Sequence, residues 1–114
     1  MKTIKEKANI TKLDIINSEV SRPFKELVGV EVAVKGAAIV EEPDENGEVK
    51  EYSYLYAEDG TIYGGNSATI KRAISNLIDL LTDDEESGEK YKATVDARKS
   101  ANDREFLSLR IIAA

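Results

Sequence analysis

Val28-Gly29-Val30-Glu31-Val32-Ala33-Val34-Lys35-Gly36-Ala37-Ala38-Ile39-Val40 is the stretch on which the fold turns. Val28, Val30, Val32 and Val34 alternate with Gly29, Glu31, Ala33 and Lys35, the period of a strand with four valines on one buried face. Gly36-Ala37-Ala38 then interrupts the alternation with small residues, where a bulge or a sharp bend fits. A long strand bent at a glycine is one way a small barrel turns a corner.

Downstream, Pro43 to Glu48 reads as a turn, with Asn46-Gly47 supplying the positive φ values of a tight hairpin. Tyr52 to Ala57 reads as a strand, Asp59-Gly60 as a two-residue turn, and Thr61 to Tyr63 as the strand pairing back. Gly64-Gly65-Asn66-Ser67 leads into a helix capped by Asn66 or Ser67. Ile70, Ala73, Ile74, Leu77, Ile78 and Leu81 fall on one helical face, and Asp83-Asp84-Glu85-Glu86-Ser87-Gly88 closes it. Tyr91, Ala93, Val95 and Ala97 alternate in one further strand, and Leu107, Leu109 and Ile111 alternate with Phe106, Ser108 and Arg110 in another. A polar loop, Lys99 to Arg104, joins them. Upstream, residues 1–9 read as a flexible arm, Ile10 to Asn17 as an extra strand and Asn17-Ser18-Glu19 as a turn, while Pro23 bars a helix at that point. The expected fold is all-β with one helix. It is a five-stranded OB-fold-like barrel over residues 10–114, with an extra N-terminal strand and its helix between strands three and four. An open α+β sheet with one helix fits the same pattern.

Composition narrows the chemistry. The chain has 114 residues, with no Cys, His or Trp, and a net charge of −6. Without Cys there is no disulfide, thiol nucleophile or zinc–thiolate site; without His there is no imidazole base or ligand. No catalytic residues, metal site or cofactor are expected, and no small-molecule substrate. The charged start and the short uncharged runs match neither a signal peptide nor a membrane span, so a cytoplasmic chain without a membrane partner is expected. The acids are clustered: Glu41 to Glu51 and Asp79 to Glu89 hold six each, which leaves ten acids and fifteen bases elsewhere. A basic face is therefore compatible with the acidic total, and so is a set of solvating acidic loops with no partner.

Glu42-x-Asp44-x-Asn46-Gly47 has the opening of a calcium loop, but its twelfth position is Ser53, so a hairpin turn is the better reading. Gly60-x-x-x-Gly64-Gly65 lacks the Lys of a phosphate loop. With Asp59-Gly60 as the turn, Tyr56 would oppose Tyr63 and Ala57 would oppose Ile62. Tyr52, Tyr54, Tyr56 and Tyr63 would then share one face with Lys50, and Leu55, Ala57 and Ile62 would face the core. Rings beside a cation are what single-stranded nucleic acid stacks on. A buried tyrosine cluster or a protein interface is the competing reading. The loop bases Arg98, Lys99 and Arg104, with Lys90 and Lys92 nearby, form a second candidate patch.

The runs Leu13-Asp14-Ile15-Ile16-Asn17 and Phe24-Lys25-Glu26-Leu27 resemble the start of the small single-stranded DNA-binding proteins of tailed bacteriophages, most closely those of protein-primed phages. Leu55-Tyr56-Ala57-Glu58-Asp59-Gly60-Thr61-Ile62-Tyr63 is similar to their central hairpin. Ser75-Asn76-Leu77-Ile78-Asp79-Leu80-Leu81-Thr82 is similar to their helix, and Phe106-Leu107-Ser108-Leu109 to their last strand. The resemblance implies an OB-fold protein that coats displaced single strands during viral replication, in the host cytoplasm, without catalysis. It carries family aromatics onto Tyr56 and Tyr63 only, and the ending Arg110-Ile111-Ile112-Ala113-Ala114 lacks the acidic tail of cellular relatives. The expected function is non-specific single-stranded DNA binding by stacking and phosphate contacts, with self-association left open. The alternatives are an acidic interaction module or DNA mimic, in which the Asp/Glu clusters are the active surface, and an assembly protein using the tyrosine face.

Overall fold

The computed structural model describes residues 3–83, 90–99, 101 and 104–113. Among them are seven strands and two α-helices: β1 (Thr3–Ala8), α1 (Lys12–Asn17), β2 (Arg22–Pro23), β3 (Val32–Pro43), β4 (Val49–Ala57), β5 (Ile62–Gly65), α2 (Ala68–Asp83), β6 (Tyr91–Lys99) and β7 (Glu105–Ala113). The result is a mostly-β architecture in which a curled, half-barrel sheet wraps a core beneath α2. The strand order is β2-β5-β4-β3-β6-β7, and β1 pairs with β3 off this path.

β3 is the spine. One edge takes β4 from Val34 to Pro43; the other is shared by β6 at Val32 and Ala33 and by β1 at Ala37 to Glu41. A bulge between Val34 and Gly36 shifts the register, so the inward positions run Val34, Ala37, Ile39 rather than keeping a strict alternation. Gly36 is required there, since a Cβ would stand 2.4 Å from the Ala8 carbonyl oxygen of β1. The expected break in the long strand is thus a bulge across which β1 passes.

Three local expectations are corrected. Residues 3–8, expected to be a loose arm, form β1. Ile10 to Asn17, expected to be a strand, holds a helix started by a capping box: the Asp14 amide donates to Thr11 Oγ1 and the Thr11 amide donates to the Asp14 carboxylate. This helix is additional to the one expected. Of the four valines, only Val34 is fully buried; Val28 and Val30 are exposed. Phe24 to Leu27 forms a 3-10 turn and Gly29 has φ +75, so the chain enters β3 only at Val32, and upstream of it Val28 makes just an isolated parallel bridge to Val95.

The long helix lies at 68–83. Ser67 Oγ accepts from the Ile70 amide, and Ile70, Ile74, Leu77, Ile78 and Leu81 are buried. They pack over Leu55, Ala57, Tyr63, Val95 and Leu109. The expected acidic helix end at Asp84, Glu85, Glu86, Ser87, Gly88 and Glu89 falls outside the described residues.

Candidate nucleic-acid interface

The β4–β5 connection decides where the tyrosines go. The Ala57 amide donates to the Thr61 carbonyl and the Gly60 amide to the Ala57 carbonyl, with Gly60 at φ +94. The loop is therefore the three residues Glu58-Asp59-Gly60, its glycine left-handed, and not the two-residue turn expected. The Asp59 carboxylate fixes it by accepting from the Thr61 amide at 2.8 Å. That single extra residue pairs Tyr56 with Ile62 and Leu55 with Tyr63, and a one-residue slip moves every side chain to the opposite face. Tyr63 accordingly lies in the main core with Leu55 and Phe24, not beside the other tyrosines.

Tyr52, Tyr54 and Tyr56 do share the outer face of β4, but it is closed. Ile10, the α1 residue Ile15, Ala38 and Val40 form a second apolar cluster with Tyr54 and Tyr56. Tyr54 is 6% exposed, Tyr56 2% and Tyr63 8%. The Tyr56 hydroxyl is 2.6 Å from Ser18 Oγ, which itself donates to the Asp14 carbonyl. Gly64 leaves room for the Tyr54 ring, to which a Cβ there would come within 2.6 Å. Burial pushes the Tyr54 phenol up to about 12 and raises those of Tyr56 and Tyr63. The exposed four-ring platform is thus corrected: the register removes Tyr63 from it, and the segment from Ile10 to Ser18 covers Tyr54 and Tyr56. Tyr52 is half-buried at the margin of the cluster.

Lys50 is exposed but pairs with Asp44 at 3.4 Å. Asp44 itself accepts from the Asn46 and Glu48 amides, so its carboxylate serves the 44–48 turn rather than a cation site. Lys50 stands opposite Glu42, ten residues along β3 from the Val32 that meets β6, a span of up to roughly 30 Å. It does not join the other bases.

Those gather on the β6–β7 hairpin, where Lys92, Arg98 and Lys99 of β6 are exposed, as are Lys90 just before it and Arg104 just before β7. Tyr91, Ala93 and Val95 face the core, which puts Lys92, Thr94, Asp96 and Arg98 on the opposite face, where all but the buried Thr94 reach solvent. Opposite them across the pair lie Ile112, Arg110, Ser108 and Phe106. Lys99 faces the other way, opposite Glu105. Of the loop, Ser100, Asn102 and Asp103 lie outside the described residues. Two residues of this surface were missed as candidates: Phe106, 40% exposed, and Arg110. The signal was present in the sequence, because Leu107, Leu109 and Ile111 as the inner face place 106, 108 and 110 on the outer one. Thr94 is anchored inward of that face, its hydroxyl donating to the Leu27 carbonyl.

A curled sheet whose last hairpin presents cations outward is a surface suited to a polyanion. A family model described as phage single-stranded DNA-binding protein matches residues 6–112. The chain belongs to this family. No curated protein and no solved structure matches it significantly. As a phage single-stranded DNA-binding protein, the chain takes single-stranded DNA as its partner and comes from a family that binds DNA without catalysis.

Proposed function

We propose that the chain coats displaced single strands during phage DNA replication in the host cytoplasm, without sequence preference, and that the β6–β7 hairpin is the surface that meets the strand. The sheet is read as an OB-fold variant: β3, β4, β5, β6 and β7 would be its five barrel strands, with α2 between the third and fourth and β1 added on the spine. One observation carries this reading. In a chain of net charge −6, Lys92, Arg98, Lys99, Arg104 and Arg110 are exposed on one hairpin, away from the acidic 41–51 turn at the far end of β3. Phosphate neutralisation by such a cluster at one end of the sheet supplies sequence-independent affinity.

Titration with oligo-dT and with duplex DNA, at low and moderate salt, tests it. Binding should favour the single strand and weaken with salt, with a log–log slope of about −0.7 per phosphate neutralised. The double charge reversal Arg98→Glu and Lys99→Glu should lower both affinity and slope. Salt-independent binding, equal affinity for duplex, or unchanged binding after that reversal overturns the reading.

A further inference from the structure

Phe106 lies in the middle of the cationic surface. It keeps 40% of its area exposed while its neighbours Leu107 and Leu109 turn inward. A single exposed apolar residue needs no explanation, but the surroundings of this one are specific. Arg98 stands directly opposite it across the hairpin, and Ser108 and Arg110 continue the same face. Asp96, opposite Ser108, lies between the two guanidiniums: its Oδ2 is 3.3 Å from Arg110 Nε and 3.9 Å from Arg98 Nη2. Exposed ion pairs of this length are weak and readily exchanged. A DNA phosphate offers the same two arginines a stronger acceptor.

We propose that Phe106, Arg98 and Arg110 form a nucleotide subsite, in which a base stacks on the Phe106 ring while a phosphate displaces Asp96 from between the guanidiniums. The ring supplies a stacking surface that every base can use, and the arginines supply the charge complement. Asp96 holds the two arginines in place when DNA is absent, and its own charge opposes the incoming phosphate. It therefore limits affinity and eases release. This inference rests on the hairpin being the single-strand surface, and it adds which ring takes the base and which carboxylate competes.

The chain has no Trp, so Phe106→Trp introduces a single tryptophan reporter at the proposed stacking position. Binding is followed independently by anisotropy of labelled oligo-dT. Saturating oligo-dT should quench the Phe106→Trp emission. Phe106→Ala should bind roughly 5- to 150-fold more weakly, the fold-change of one base–aromatic stack, with its salt slope unchanged because a ring releases no counterions. Asp96→Asn should bind about 2- to 5-fold more tightly. If oligo-dT saturates Phe106→Trp by anisotropy without altering its emission, the stacking role is overturned while the hairpin reading stands. If Asp96→Asn weakens binding, the displacement role is overturned. If the wild-type protein fails to bind oligo-dT, the underlying reading falls first. Circular dichroism checks the fold of Phe106→Ala; the tryptophan variant keeps an aromatic ring in place and decides the question without it.

Discussion

Tyr56→Ala separates a buried tyrosine cluster from an exposed stacking platform. The ring is 2% exposed, enclosed by Ile10, Ile15, Ala38 and Tyr54, and its hydroxyl lies 2.6 Å from Ser18 Oγ. A buried aromatic removes at least ~150 Å² from water, worth about 4 kcal/mol at ~25 cal/mol per Å². Aromatic-to-alanine truncations in cores fall in the same range, about 3–5 kcal/mol. For a chain of this length the total stability is on the order of 5–15 kcal/mol, so the variant should lose a large share of it and melt on the order of 15 °C lower. Tyr56→Phe keeps the ring and removes only the hydroxyl. Ser18 retains its bond to the Asp14 carbonyl, and the loss should be about 1 kcal/mol. Urea unfolding followed by far-ultraviolet circular dichroism reads both, as shifts of midpoint at constant slope. A Tyr56→Ala protein with wild-type stability and impaired binding to oligo-dT would refute the reasoning, because it would show that the ring is open to DNA in the working molecule.

Two further outcomes are expected, one from the spine of the sheet and one from the strand beside it. Gly36→Ala places a methyl group against the Ala8 and Asn9 carbonyls, so β1 must shift; a loss of about 1–3 kcal/mol is expected. Amide exchange should speed up across residues 3–8 and not in the helix at 68–83. Glu51 accepts hydrogen bonds from Lys5 of β1 and from Lys71 of α2, and these two lysines hold its carboxyl down at about 2, against an ordinary 4.5. A depressed acid contributes stability that is fully present above pH 4.5 and is lost as pH falls from 4.5 towards 2. Glu51→Gln should therefore flatten the acid limb of a plot of stability against pH in that window; an unchanged limb would assign the acid sensitivity elsewhere.

The sequence carried the fold where periodicity and packing agree. The helix face from Ile70 to Leu81, the inner faces at Tyr91 to Val95 and Leu107 to Ile111, and the break at Gly36 were all legible, because the apolar side chains there turn inward as their period implies; Ala97, next in that period, is exposed. It misled where one residue of loop geometry decides orientation. Asp59-Gly60 fits a two-residue turn as well as the end of a three-residue one, and nothing local to the hairpin says which. The structure chooses the longer loop, and Tyr63 goes inward beside Leu55. The first helix was legible in principle, since Thr11-x-x-Asp14 has capping-box spacing, but the apolar Ile10, Leu13, Ile15 and Ile16 have no clean period. Only Ile10 and Ile15 of these are buried, which leaves Leu13 and Ile16 exposed. The covering of Tyr54 and Tyr56 is tertiary information: it depends on where residues 10–18 fold back, far from β4 in the chain. The cationic hairpin needed only the alternation already visible from Leu107 to Ile111.

The strand path ends at β7, which among the described strands is hydrogen-bonded only to β6. A nine-residue edge rich in Phe, Leu and Ile is a template on which another chain can add a strand. Charged residues are the usual protection of such an edge, and the interior of β7 carries one, Arg110. Its charge therefore has a second consequence, which concerns colloidal behaviour rather than recognition. The proposed coating of a strand would bring many copies side by side, the condition under which an unprotected edge would propagate into aggregates. Neutralising Arg110 should appear as turbidity that grows with protein concentration even when DNA is absent, a dependence that no contact with a phosphate would produce.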